Sequence, residues 1–227
     1  MHSNFIAALL TATISANLKV GVISDSHFNT IYNAYSSSSI CTGTDVSGEI
    51  VAPVGRYGCD PSEDLLDLMY TRFKEVYGTV DVILVPGDSA AHKVAASKEG
   101  DDPTASHYTA VKANLAATFA KFQEHFPNTV ILPTFGNNDG RYHDEAIDEA
   151  DKSDYYNFVY DLWFNQLTGN AGLDLASIKS TLLSGGYYRA DITSTVTVLS
   201  LNSMYMDFED NAVHNGEVNL ISKWFEY

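Results

Sequence analysis

Apolar residues along this chain fall into two patterns, short continuous runs and stripes at helical spacing, and the two alternate. Continuous runs occur at Leu18-Lys-Val-Gly-Val-Ile23, at Val82-Ile-Leu-Val85 and at Thr129-Val-Ile-Leu-Pro-Thr134. Strands covered on both faces lose the polar alternation of half-solvated ones, so these runs read as buried parallel strands. Between the first two, Asp60 as cap, Pro61 at the first helical position and Glu63 reaching back mark a helix start. Leu65, Leu68, Met69, Phe73 and Val76 follow as its buried stripe. A second helix, Thr104 to Phe126, carries Tyr108, Val111, Leu115, Phe119, Phe122 and Phe126 on one face and stops at Pro127-Asn128.

Beyond the third run, Gly140 to Asp154 is acidic, lacks an apolar period and reads as a solvated loop bordering the rim of any active site. A third helix, Tyr155 to Leu167, turns Tyr155, Val159, Leu162, Trp163 and Gln166 one way. Gly185-Gly186 then introduces a β-hairpin through Tyr187 to Leu201, and a last amphipathic helix begins at Glu217. Alternation of strand and helix predicts an α/β fold with a parallel sheet. The chain stops inside its last helix with neither a glycine cap nor a polar tail, which suggests truncation.

Each continuous run ends in residues that bear chemistry. Ser24-Asp25-Ser26-His27 follows the first, Pro86-Gly87-Asp88 with His92 the second, and Phe135-Gly136-Asn137-Asn138-Asp139 the third. Parallel strands deliver all three clusters to one sheet edge, where open α/β sheets take their ligands. Carboxylate and amide oxygens mixed with imidazole suit zinc, iron or manganese. A carboxylate on the central strand, Asp88, can bridge two such ions about 3.5–4 Å apart, a geometry that activates water and clamps a phosphoryl group. A single aspartate after a strand is usually a turn cap, and a single histidine usually a satisfied core or surface residue. Three clusters in the same context favour a metal site.

Length and composition set the scale. A chain of 227 residues, 45% hydrophobic and 12% aromatic, buries one good core. A net charge of −16 and a pI near 4.5 argue against a nucleic-acid duplex or an anionic membrane as partner. An anionic substrate would then need local positive charge, which bound cations supply. Residues 1–16 contain the apolar stretch Phe5 to Ile14, of signal-peptide length and too short to span a bilayer, although no Lys or Arg precedes it. It reads as a leader for secretion or for a lysosomal or vacuolar destination, or else as a disordered or partly buried N-terminus. No other transmembrane candidate occurs. Cys41 and Cys59 bracket a polar loop, which in an exported protein is a natural disulfide, with two free thiols as the alternative.

Asp25-Ser-His27, Gly87-Asp88-Ser-Ala-Ala-His92 and Gly136-Asn-Asn-Asp139 resemble the first three motifs of the calcineurin-like metallophosphoesterases. Tyr57-Gly-Cys59-Asp60, with its loop closed by Cys41, resembles the acid sphingomyelinase-like phosphodiesterases within that superfamily. The resemblance implies an α/β/β/α sandwich, of which residues 17–227 would be the N-terminal part. It also implies two divalent ions, zinc in this group, and phosphodiester hydrolysis by attack of a metal-bridging hydroxide. Carried over, Asp25 and His27 would hold the first ion, Asp88 would bridge and Asn137 would bind the second. His92 would be a catalytic residue beside the scissile phosphate, orienting it or donating a proton.

Two departures bear on function. Asn138 stands where most relatives carry a histidine that protonates the leaving group, and an amide cannot shuttle a proton. The Asn-Asn-Asp pattern is similar to that of vacuolar endopolyphosphatases, whose phosphate leaving groups need such help least. The family's further ligand motifs, Gly-His and Gly-His-x-His, occur nowhere in this sequence, and His214 lies in a polar stretch unsuited to replace them. With part of each coordination sphere, the 227-residue chain alone is expected to bind metal poorly and to be inactive or barely folded, and a non-catalytic remnant that binds a partner or phosphate is the competing reading. The substrate is a lipid or small-molecule phosphodiester, or a phosphoanhydride.

Overall fold

The computed structural model describes residues 17–37, 41, 42, 48, 51–94 and 105–206. The leader, His214 and the helix expected from Glu217 lie outside these residues. The fold is α/β. Strands β1 (Val20–Val22), β2 (Val82–Val85) and β3 (Val130–Pro133) form a parallel sheet in that order, with Val20 opposite Val82 and Val82 opposite Val130. β2 is therefore central, as its apolar run predicts, and Val82, Ile83 and Val85 are buried. β1 departs from expectation. It pairs only with β2 among the described residues, and Val20 and Val22 are about half exposed (49% and 59%).

Helix α1 (Glu63–Tyr77) starts later than its sequence suggests. Ser62, not Asp60, is the cap, its hydroxyl accepting from the Leu65 N–H at 3.2 Å. Asp60 is unavailable because its carboxylate holds the backbone N–H and the ring of His92, each at 2.8 Å. The buried face also differs from the expected stripe. Leu66 and Tyr70 are buried, whereas Leu68, Met69 and Val76 of the expected stripe are exposed. Phe73 still packs against the core, lying so close to Gly21 of β1 that a Cβ there would come within 2.6 Å of its ring. Helix α2 (Ala105–His125) follows its predicted stripe, with Val111, Leu115, Phe119 and Phe122 buried.

The segment expected to be a solvated loop is in part packed against the protein. Glu145, Ala146 and Ile147 are buried, and an Arg141–Asp151 ion pair at 2.6 Å spans it. Its last residues belong to helix α3 (Lys152–Tyr160), which runs on into a π-helical turn, Asp161–Asn165. Tyr155, Val159, Leu162 and Trp163 are buried as expected. Gln166 is exposed and bonded to Asp161 at 2.8 Å. Helix α4 (Leu175–Gly185) has no counterpart among the expected elements. Asp174 caps it through the Ser177 N–H, and Gly186 ends it at φ 73° with its N–H on the Leu182 carbonyl. Strands β4 (Tyr188–Asp191) and β5 (Thr197–Ser200) form the expected antiparallel hairpin. Tyr188 and Ser200 both donate to the Pro133 carbonyl, fixing the hairpin to the end of β3.

Asn170 is fully buried and acts as a short edge partner for β3. Its side chain accepts from the Ile131 N–H at 2.8 Å and donates to the Ile131 and Trp163 carbonyls at 2.8 and 2.7 Å. Asn170→Leu keeps the volume but leaves three buried backbone groups unpaired. At about 1–3 kcal/mol for a fully desolvated group, partly relieved by relaxation, we expect a loss of about 3 kcal/mol. Urea unfolding of both forms measures it, and a difference below about 1 kcal/mol would contradict this account of β3.

Candidate metal and phosphate site

The three polar strand ends converge beyond Ile23, Val85 and Pro133, and the backbone stitches them together. Asp25 N–H donates to the Gly87 carbonyl at 3.2 Å, and His27 N–H to that of Asp88 at 2.9 Å. Asp139 ties in the third loop. Its carboxylate accepts from the Ser89, Ala90 and Gly136 N–H groups at 2.8–2.9 Å. Burial pushes that carboxyl up to about 7, opposed by the three N–H donors. The loops approach so closely that a Cβ on Gly87 would sit 2.5 Å from the Gly136 nitrogen, and one on Gly136 would drive into the Asp88 carboxylate. Both glycines are steric requirements of the site.

This geometry strains the chain. Of six non-glycine residues with positive φ among the described residues, three are Asp25 (55°), His27 (38°) and Asp88 (53°), and a fourth is Asp144 (61°). Such conformations cost on the order of 1 kcal/mol each and persist where surrounding contacts enforce them. Four of the six thus gather at this one sheet edge.

The side chains of Asp25, His27 and Asp88 each offer a ligand atom within 4.8 Å of the others. His27 Nε2 lies 4.0 Å from Asp25 Oδ1 and 3.7 Å from Asp88 Oδ2. His27 Nδ1 lies 3.1 Å from the Ala90 carbonyl, which can only accept, so that nitrogen carries a proton. In the neutral ring, Nε2 then presents a lone pair toward two carboxylates. Two carboxylate oxygens and an imidazole nitrogen converging in this way are a donor set that fits a divalent cation. A second trio contrasts with this one. Asp67, Glu124 and His125 are also close together, but the Lys121 ammonium fills that cluster at 2.7–3.2 Å from Asp67, Glu124 and Glu63. There an ammonium already stands where a cation would, and the network clamps α1 to α2.

Asn137 shares a cleft of about 460 Å³ with Asp25, Asp88, Asp144 and Met204. Its amide nitrogen is turned away toward Asp144 Oδ1 (2.8 Å) and His143 Nε2 (3.1 Å). Asn138 packs behind Asp88, donating its backbone N–H at 3.0 Å and its amide at 3.3 Å to Asp88 Oδ1. It is 2% exposed, and its own amide oxygen is buried without a hydrogen-bond partner. His92 stacks on His27, ring centroids 3.9 Å apart and planes 21° from parallel. The Cys41–Cys59 disulfide closes the preceding loop at an S–S distance of 2.05 Å, and Asp60 follows it directly.

All six residues singled out for metal or phosphate thus lie at one edge. Sequence reasoning missed Asp60, His143 and Asp144. Asp60 looked like a helix cap, and the other two sat in a stretch read as solvated. The clue available for Asp60 was Ser62, an equally good cap two residues on.

No family model matches the chain. It is 26% identical over 205 residues to "Sphingomyelinase phosphodiesterase D" of Dictyostelium discoideum, an alignment covering 80% of this chain and 41% of that protein. It is 26% identical over 190 residues to "Sphingomyelin phosphodiesterase A" of the same organism, covering 82% of this chain and 29% of that protein. The chain therefore spans well under half the length of the curated relatives it matches.

Proposed function

We propose that the chain carries the N-terminal half of a metal-dependent phosphodiesterase site of the calcineurin-like type. The observation that carries this reading is the convergence of Asp25, Asp88 and a His27 nitrogen whose ring partner is tied to the Ala90 carbonyl. Asp25 and His27 would hold one divalent ion, Asn137 another, and Asp88 would be shared between them. Ions bound there would draw an anionic phosphoryl group to an acidic protein and lower the pKa of a water for attack.

The chain's own residues supply the rest. Asp60 accepts from His92 Nδ1, which fixes the ring and leaves Nε2 to meet a phosphoryl oxygen. Stacking on His27 keeps that ring beside the carboxylates. Asn138 braces Asp88 and has no proton to give a leaving group. The disulfide fits an oxidising compartment, and hence secretion or delivery to a lysosome or vacuole.

Asn138 favours a second, narrower reading: phosphoanhydrides, or phosphodiesters with leaving groups of low pKa, are preferred over sphingomyelin. Turnover of polyphosphate, a nucleoside triphosphate and sphingomyelin by the full-length protein, supplied with Zn²⁺ or Mn²⁺, tests both. Polyphosphate or the triphosphate should be cleaved fastest. Sphingomyelin as the best substrate rejects the narrower reading, and metal-independent turnover of all three rejects the broader one.

A further inference from the structure

We propose that His143 and Asp144 are positioning residues that aim the Asn137 amide oxygen at the second cation, an inference that rests on the function proposed above. A primary amide has two N–H donors and one carbonyl oxygen, and which of its ends faces a cation decides whether it can be a ligand. Asn137 Nδ2 lies 2.8 Å from Asp144 Oδ1 and 3.1 Å from His143 Nε2. A carboxylate only accepts, so the nitrogen end must face it, and the assignment of the amide follows from chemistry. His143 Nδ1 lies 2.7 Å from Asp144 Oδ2, which places that ring's proton on Nδ1 and its lone pair on Nε2.

The three side chains therefore form a closed ring of hydrogen bonds. Asn137 donates to both partners, and His143 donates to Asp144. Both amide protons are consumed, leaving Oδ1 as the atom free to bind a cation in the cleft shared with Asp25 and Asp88. The backbone reinforces the ring. Asp144 N–H donates to the Asn137 carbonyl at 3.2 Å, and Asp144 is held at φ 61°.

Asp144→Asn tests this at nearly constant shape. The amide it introduces has a single carbonyl oxygen, which can replace only one of the two carboxylate acceptors, and its NH₂ would face the His143 Nδ1 proton. Relieving that clash by moving the proton to Nε2 points it at the Asn137 amide instead. Either way the ring breaks. Mn²⁺ titration of the full-length protein, followed by electron paramagnetic resonance, is expected to show two sites in the unsubstituted chain. In the variant the weaker site should lose about 10–100-fold in affinity while the tighter one is unchanged. The Asn137 side-chain NH₂ resonances, measured without metal, should also lose their protection from solvent exchange in the variant only. That second readout reports the ring itself, and matching melting curves show that the variant folds. Two sites of unchanged affinity in the variant overturn the proposal and leave the proposed function standing, as does a single site in the unsubstituted chain that Asp144→Asn does not alter. No Mn²⁺ uptake by the unsubstituted chain overturns both.

Discussion

Asp88→Asn is expected to abolish cation binding at the strand-end cluster while leaving the fold intact. The substitution keeps the side-chain volume and one oxygen able to accept the Asn138 N–H, now made at 3.0 Å. It removes the negative charge 3.7 Å from the His27 lone pair, and with it the acceptor that two ions would share. Loss of a shared ligand affects both ions, so its effect should exceed that of Asp25→Asn. In the full-length protein we expect phosphodiester turnover to fall by on the order of 10³-fold or more, the scale set by removing one fixed electrostatic partner of a developing charge. Metal content by mass spectrometry should fall in parallel, with the melting temperature within a few degrees of the starting value. Full metal content with normal turnover would remove Asp88 from the site.

Asp139→Leu is expected to be the most destabilising single change near the site. The carboxylate satisfies three backbone N–H groups from two loops, and Ser89 and Ala90, which carry two of them, are buried away from water. Stranding them costs about 1–3 kcal/mol each in isolation. Removing a buried carboxyl whose burial pushes it up to about 7 recovers part of that cost. The net expectation is a loss of about 3 kcal/mol in urea unfolding. Proteolysis should also accelerate at the Gly136 loop, whose remaining ties are the Asn138 hydrogen bonds to Asp88 and the Tyr155 hydroxyl on the Asp139 carbonyl. A variant as stable and as protease-resistant as the unsubstituted chain would show that the two loops are held by something other than Asp139.

How much of this was legible beforehand depends on whether a residue's role is set locally or by its neighbours in space. β2 and α2 could be read directly, because burial on every side or along one stripe leaves a periodic trace in sequence. The convergence of Asp25, His27 and Asp88 followed from a single topological fact, parallel strands with β2 in the middle. Asp60 misled because both a helix start and a histidine anchor call for a carboxylate, and only the fold decides which takes it. Glu145 to Ile147 misled because their burial depends on packing against Met204 and its neighbours, far away in the chain. α4 was missed although Asp174 and Gly186 are good caps, since its apolar positions Ile178 and Leu182 are too few to announce a stripe.

The left-handed backbone at Asp25, His27 and Asp88 has an evolutionary corollary. Glycine relaxes that conformation at no steric cost. Selection for thermal endurance alone would therefore drift toward glycine at these three positions, and every such gain would erase the donor atoms at the strand tips. Stability and donor atoms thus compete at the same three positions, and a sequence that holds aspartate and histidine there gives up some resistance to heat.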